Sequence, residues 1–105
     1  MITNETKETL NYLESLIGKK PTLGDYILSI RQGEEITQTE FARLLGISRH
    51  NLCDIEHNRR FISPRMAVQF ANKLGYSEKQ FVRLCLQDML NREGLALRVE
   101  LENAA

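Results

Sequence analysis

The chain has few cysteines and no long apolar run, and each shortage excludes a class of protein. Its two cysteines, Cys53 and Cys85, are too few and too far apart for the disulfide framework of a small secreted domain. No apolar segment approaches the roughly 20 residues that span a bilayer. The first ten residues, MITNETKETL, are polar and acidic, unlike a signal peptide. We therefore expect a cytoplasmic protein without a membrane partner, built as one compact domain with an additional arm.

A net charge is also lacking, because fourteen basic residues balance fourteen acidic ones. This balance by itself argues against nucleic acid, since neutralisation of phosphates drives that binding. The distribution of charge argues the other way, because five arginines outnumber three carboxylates between residues 37 and 65. An anionic partner would therefore bind around this segment. The arginines are Arg43, Arg49, Arg59, Arg60 and Arg65.

Apolar residues recur at helical spacing in six segments, each bounded by residues that begin or end helices. The sequences TQTE and SEKQ are expected to form capping boxes, in which Thr37 and Glu40, and Ser77 and Gln80, satisfy each other's free amides. The expected N-caps of the last five helices are Thr22, Thr37, Ser48, Ser63 and Ser77. The predicted helices cover residues 6–18, 23–32, 37–46, 49–57, 64–74 and 78–92.

Beyond Gly94 the apolar period changes from that of a helix to that of a strand. The apolar residues that alternate with polar or small ones are Leu95, Leu97, Val99 and Leu101. A lone strand leaves its backbone groups without a ladder partner. Two interpretations remain open: a frayed tail whose alternation is chance, or a strand that pairs across a dimer axis or with another protein.

Residues 38–55, QTEFARLLGISRHNLCDI, have the composition of two helices joined by a tight turn. Ala42 is small where the two helices would cross. Gly46 stands where the turn needs a positive φ, which glycine adopts without a Cβ penalty. The apolar wedge that would fix the angle between the helices consists of Phe41, Leu45, Ile47, Leu52 and Ile55. Together with the helix caps, this combination predicts a helix-turn-helix.

At these residues the chain resembles the helix-turn-helix family of phage repressors and Xre-type bacterial regulators. The resemblance covers about residues 22–76 and is strongest at TQTEFARLLGISR. It implies an all-α fold: a five-helix repressor-like domain, here with an extra N-terminal helix and a short C-terminal strand or extended arm. In that family the second helix of the motif lies in the major groove of DNA. The resemblance therefore assigns this position to helix 49–57.

The resemblance also implies roles for individual residues. Those expected to contact base edges are Arg49, His50, Asn51 and Asp54. Those expected to contact phosphates are Gln38, Ser48, Arg59 and Arg60. The chemistry agrees, since arginine can bond guanine, asparagine can bond adenine, and a carboxylate can accept from cytosine. Simpler roles stay open, namely helix capping for Gln38 and plain solvation for the two loop arginines.

Two further positions match the family in a structural sense. Arg31 and Glu56 correspond to a buried arginine–glutamate pair of some repressors. Asn58 stands where the family usually has glycine, and asparagine tolerates the left-handed conformation that the turn requires.

A metal site is the main chemical alternative for helix 49–57, because His50, Cys53 and His57 share one helical face. These residues supply at most three ligands, whereas a structural zinc site uses four. Cys85 is distant in sequence and is expected in the core. No glycine-rich phosphate loop or nucleophile arrangement indicates catalysis. We expect no metal, no cofactor and no enzymatic activity.

The sequence thus predicts three units: an N-terminal helical extension over 1–21, a DNA-binding domain over 22–76, and a C-terminal helix with a strand-like arm for dimerisation over 77–105. The first functional hypothesis is a homodimeric repressor of transcription that binds double-stranded DNA at a palindromic operator. The second is an antitoxin that also binds a toxin protein, since ISPRMAVQFANKLG, residues 62–75, is similar to a run in HigA-type antitoxins. The third is a helix-turn-helix used only as a protein-binding scaffold.

Overall fold

A computed structural model of the protein describes residues 21–104, and within them the chain forms five helices. The helices are α1 (Leu23–Gly33), α2 (Gln38–Leu45), α3 (Arg49–Glu56), α4 (Pro64–Leu74) and α5 (Glu78–Arg92). The predicted all-α fold is confirmed, and the predicted helix ends agree with these to within one residue. The helix expected over residues 6–18 lies outside the described part of the chain.

All five expected N-caps form. Each lies in the extended region of φ/ψ space and accepts a hydrogen bond from the backbone amide three residues on. The second bond of the two predicted capping boxes, from the N-cap amide to the side chain of Glu40 or Gln80, does not form, so this part of the prediction is wrong. The exposed Glu40 side chain does not accept from the Thr37 amide, and the buried Gln80 accepts from Arg83 Nε at 3.2 Å instead. A complete capping box forms at α1, where the Thr22 hydroxyl and the Asp25 carboxylate each accept from the other's amide at 3.0 Å.

The core lies where all five helices meet. Its largest members, Phe41, Phe70 and Phe81, come from α2, α4 and α5 and are almost wholly shielded from solvent. Burial of such a side chain contributes about 1.5–3 kcal/mol to the free energy of unfolding. The expected wedge residues are buried with them, except Ile47, which is partly buried against the core. This packing holds the motif at a fixed angle.

Helix α5 is part of this core. Cys85 is 3% exposed, as predicted, and its thiol donates to the carbonyl oxygen of Ile62 at 3.2 Å. Asp88 is also buried and accepts from the amide of Leu23 at 3.0 Å, which ties α5 to the first residue of α1. Burial raises the pKa of Asp88 to about 6, although the bond from Leu23 opposes this shift.

Of the predicted short C-terminal strand or extended arm, the described residues show an arm without strand structure, and pairing with a second chain stays a prediction. Beyond α5, residues 95–104 form neither helix nor strand, because no other segment between residues 21 and 104 offers them a ladder. The segment lies against α5, where the Gln87 side chain bonds to its backbone. Leu95 and Leu97 remain 48% and 59% exposed. Helices α1–α5 are all too short or too polar to cross a membrane.

Candidate nucleic-acid interface

Helix α3 is presented by a tight turn and a well-formed cap. Gly46 takes φ +77° at the end of α2, as predicted, and Ser48 Oγ accepts from the Asn51 amide at 3.0 Å to begin α3. The inner face of α3 buries Leu52, Ile55 and Glu56. The opposite face therefore points to solvent, and its exposed residues are Arg49, His50 and the C-cap His57. Asn51, Cys53 and Asp54 lie partly exposed beside them.

A chain of hydrogen bonds runs from the interior to this exposed face. Glu56, 2% exposed, accepts from Arg31 Nε at 2.6 Å and Nη2 at 3.1 Å, the pairing that the resemblance implied. It also accepts from Gln38 Nε2 at 2.8 Å. Gln38 Oε1 in turn lies 3.4 Å from Arg49 Nη1, the first side chain of α3. The buried carboxylate thus orients Gln38, and Gln38 orients Arg49.

Each carboxylate oxygen of Asp54 contacts a basic side chain of the same chain. Oδ1 accepts from Arg59 Nε at 2.9 Å, and Oδ2 lies 3.4 Å from His50 Nε2, one helical turn back. The bond from Arg59 holds the pKa of Asp54 below its ordinary value, helped by the nearby His50 and Arg60. Asp54 correspondingly raises the pKa of Arg59. Asp54 therefore remains ionised beside the cations that would approach phosphate.

The loop after α3 is fixed by several bonds. Asn58 adopts φ +59°, the left-handed conformation that the sequence suggested, and its side chain bonds to Thr22 and Asp25 at the start of α1. The Asp54 carbonyl accepts the amides of Arg59 and Arg60 at 2.8 and 3.2 Å. Both arginines are exposed. The loop therefore presents two cations beside the exposed face of α3.

Helix α1 approaches this loop closely at Gly24. A Cβ atom at Gly24 would collide with the carbonyl oxygen of Ile55 and with Oδ1 of Asn58. Nothing in the local sequence predicts this contact, because Gly24 occupies an ordinary helical position. The two ends of α1 therefore fix the end of α3, through Gly24 on one side and Arg31 on the other.

The three residues that suggested a metal site do not converge. His57 Nδ1 lies 2.8 Å from the Cys53 carbonyl oxygen and 3.6 Å from its thiol, whereas His50 lies against Asp54. Within residues 21–104, no three histidine, cysteine, aspartate or glutamate side chains are grouped to bind a metal ion. The exposed face of α3 is instead hydrogen-bonding and cationic in character.

Residues 24–85 match the model of the helix-turn-helix domain family. The chain belongs to this family. The match includes α1 to α4 and more than half of α5, and a helix-turn-helix domain is a DNA-binding module, so the protein is a DNA-binding regulator.

The helix-turn-helix fold also resembles a crystal structure described as a hypothetical transcription factor, NHTF, from Neisseria. The TM-score is 0.52 and the identity 24%, over 67% of this chain and 79% of that one. At this identity the likeness concerns the fold. No curated protein sequence matches the chain.

Proposed function

We propose that this helix-turn-helix protein is a sequence-specific repressor of transcription that acts as a homodimer on a palindromic operator. The observation that carries the proposal is the placement of Arg49. It lies exposed at the first position of α3, immediately after a capped turn, and Gln38 and Glu56 orient it through hydrogen bonds. A side chain held in this way loses less conformational freedom when it binds a base edge.

In this proposal α3 lies in the major groove. Arg49 donates to guanine, while His50 and Asn51 contact the neighbouring base edges. Asp54 can accept from a cytosine amino group through a remaining lone pair of either oxygen, beside the contacts that these oxygens make with Arg59 and His50. Its role is therefore tied to Arg59 and His50.

The phosphate contacts surround the helix. Arg59 and Arg60 supply charge from the loop. Gln38 donates one amide hydrogen to Glu56 and can donate its second to a phosphate from the start of α2. The Ser48 hydroxyl accepts the cap bond, which leaves its own proton available for a phosphate oxygen. The N-terminus of α3 adds the positive end of the helix dipole.

Selection of bound sites from a random duplex library at near-physiological salt tests the proposal. We expect enrichment of a palindrome whose half-sites lie about one helical turn apart. The matched control is Arg49→Ala, which is expected to lose enrichment at one base pair of each half-site. Failure of the folded protein to enrich any sequence would overturn the proposal and favour the protein-scaffold hypothesis.

An antitoxin that represses its own operon is the second candidate. It is supported by the similarity of residues 62–75 to HigA-type antitoxins, and these residues form the end of the α3–α4 loop and all of α4 up to Gly75. This candidate requires a toxin encoded by a short neighbouring reading frame. Co-expression of that frame tests it: growth arrest by the toxin should be relieved by the wild-type protein and by Arg49→Ala alike, because neutralisation does not need DNA.

A further inference from the structure

The segment after α5, residues 95–102, is bonded to its own helix along one edge. Gly94 takes φ +74°, and Leu95 donates its amide to the carbonyl oxygen of Leu90 at 3.0 Å. Farther on, Gln87 Nε2 donates to the Leu97 carbonyl oxygen at 2.7 Å, and Gln87 Oε1 accepts from the Val99 amide at 2.8 Å. The carboxamide thus bonds to this backbone as a peptide group of an adjacent strand would.

These two hydrogen bonds determine the direction in which the backbone groups point. In an extended chain the C=O of one residue and the N–H of the residue two positions on point to the same side. Leu97 and Val99 therefore direct these groups toward α5. The groups of Ala96, Arg98 and Glu100 consequently point to the opposite side. Within residues 21–104, these three residues make no backbone hydrogen bond.

An edge of this kind is a template for another strand. We propose that the edge at Ala96, Arg98 and Glu100 pairs antiparallel with the same segment of a second copy of the chain, with Val99 on the two-fold axis. This inference rests on the homodimeric part of the proposed function and names its interface. The helix-bound edge of each segment stays on its own Gln87, while the open edges pair with one another.

The charges select this register. With Val99 opposite itself, each Arg98 lies opposite Glu100 of the second copy, in a hydrogen-bonded pair that uses the open edge of both segments. A shift by two residues places Arg98 opposite Arg98, or Glu100 opposite Glu100, and like charges directly opposite are destabilising. The apolar residues also match, because Leu97 of each copy lies opposite Leu101 of the other. The Leu97 side chain, 59% exposed in the single chain, is thereby covered in both copies.

The surroundings of Arg98 support this arrangement. Arg98 makes no ion pair with a carboxylate among the described residues. It lies instead close enough to Arg83 to help lower the pKa of that group, after burial of Arg83 itself. Two neighbouring guanidinium groups favour a nearby carboxylate, and Glu100 of the second copy provides one.

Disulfide cross-linking in glutathione buffer tests the register without DNA. In a Cys53→Ser background, Val99→Cys should form a covalent dimer, because residues on the axis in a non-hydrogen-bonded pair have Cα atoms about 4.5 Å apart, within the range for a disulfide. The matched single variants Leu97→Cys and Leu101→Cys should remain largely reduced, since each is about four residues from its own copy in this register. Mixing those two variants should yield the cross-linked heterodimer. Equal cross-linking of all three single variants, or none for Val99→Cys, would overturn the register.

Sedimentation of the protein alone tests the charge pairing. Arg98→Glu and Glu100→Arg should each weaken the dimer at least about tenfold, and the double variant should recover most of the loss because the opposed charges are then exchanged. A wild-type protein that is monomeric at its highest soluble concentration, or a double variant as weak as the singles, would contradict the proposal. Either outcome leaves DNA recognition intact, since enrichment of single half-sites in the library would still establish it.

Discussion

Arg59 and Asp54 form an ion pair, with Nε donating to Oδ1 at 2.9 Å, on the surface proposed to meet DNA. The same aspartate accepts the amides of Arg59 and Arg60 through its carbonyl oxygen. We expect Asp54→Ala to raise affinity for random duplex, because a negative charge near the phosphates is removed. Discrimination between the operator and random duplex should fall, because Arg59 loses its position.

Affinities measured for both duplexes at several salt concentrations check this prediction. Asp54→Asn is the matched control, since it removes the charge but keeps an acceptor for Arg59, and should retain more discrimination than the alanine variant. A changed preference at one base pair, with overall discrimination intact, would instead identify Asp54 as a residue that contacts cytosine.

Arg49 and Arg60 should respond differently to truncation. Arg49→Ala should cost about 1–3 kcal/mol of operator binding and relax preference at one base pair per half-site. Arg60→Ala should weaken binding to all sequences alike and reduce the slope of log affinity against log salt by about one. Lys79→Ala, on α5 and outside the arginine-rich segment 37–65, is the control and should leave both quantities unchanged. Identical effects of Arg49→Ala and Arg60→Ala would refute this division of roles.

The buried pair of Arg31 and Glu56 should matter for stability. Glu56→Gln leaves the Arg31 guanidinium, whose side chain is 17% exposed, without its counter-charge. We expect a loss of about 2–4 kcal/mol in the free energy of unfolding, measured in urea. Glu34→Gln, at an exposed carboxylate, should change it by less than about 0.5 kcal/mol. Equal small effects would mean that solvent replaces the pair without cost.

Two glycines of α1 should respond to alanine with opposite signs. Gly24→Ala would force the new methyl group against the backbone of α3, and overpacking of this kind costs about 1–3 kcal/mol. Gly33→Ala meets no atom within 4 Å and should stabilise the protein by about 0.4–1 kcal/mol, because it restricts the unfolded chain. Thermal unfolding of both variants measures this difference, and a neutral Gly24→Ala would show that α1 can move away from α3.

Asp88 should make stability depend on pH. Its pKa of about 6 in the folded protein exceeds the value near 3.9 of an unfolded chain. The folded state therefore binds the proton more tightly, so this group's contribution is fully present below about pH 4 and is lost as pH rises through 6. Asp88→Asn should be more stable than wild type at pH 7, on the order of 2 kcal/mol. The side-chain oxygen of the asparagine can still accept the hydrogen bond from the Leu23 amide. The difference should disappear near pH 4 in urea unfolding; a constant difference at both values would contradict the assignment to Asp88.

The sequence by itself determined the helices and the turn between α2 and α3. Local chemistry is sufficient there, since an N-cap hydroxyl, an apolar period and a glycine at positive φ act within a few residues. The sequence also indicated which side chains of α3 face solvent. Once Leu52 and Ile55 point into the core, the residues on the opposite side of this short helix must point outward.

Only the tertiary structure decided how those side chains are held. The contacts of Gly24 with Ile55, of Leu23 with Asp88 and of Gln87 with Val99 join residues that no local pattern connects. The same applies to the C-terminal segment, whose alternation predicted a strand. A strand needs a partner, and α5 offers one carboxamide in place of a ladder. The local sequence determines whether each segment tends to form a helix or a strand, whereas long-range packing decides which backbone groups remain without a hydrogen-bond partner.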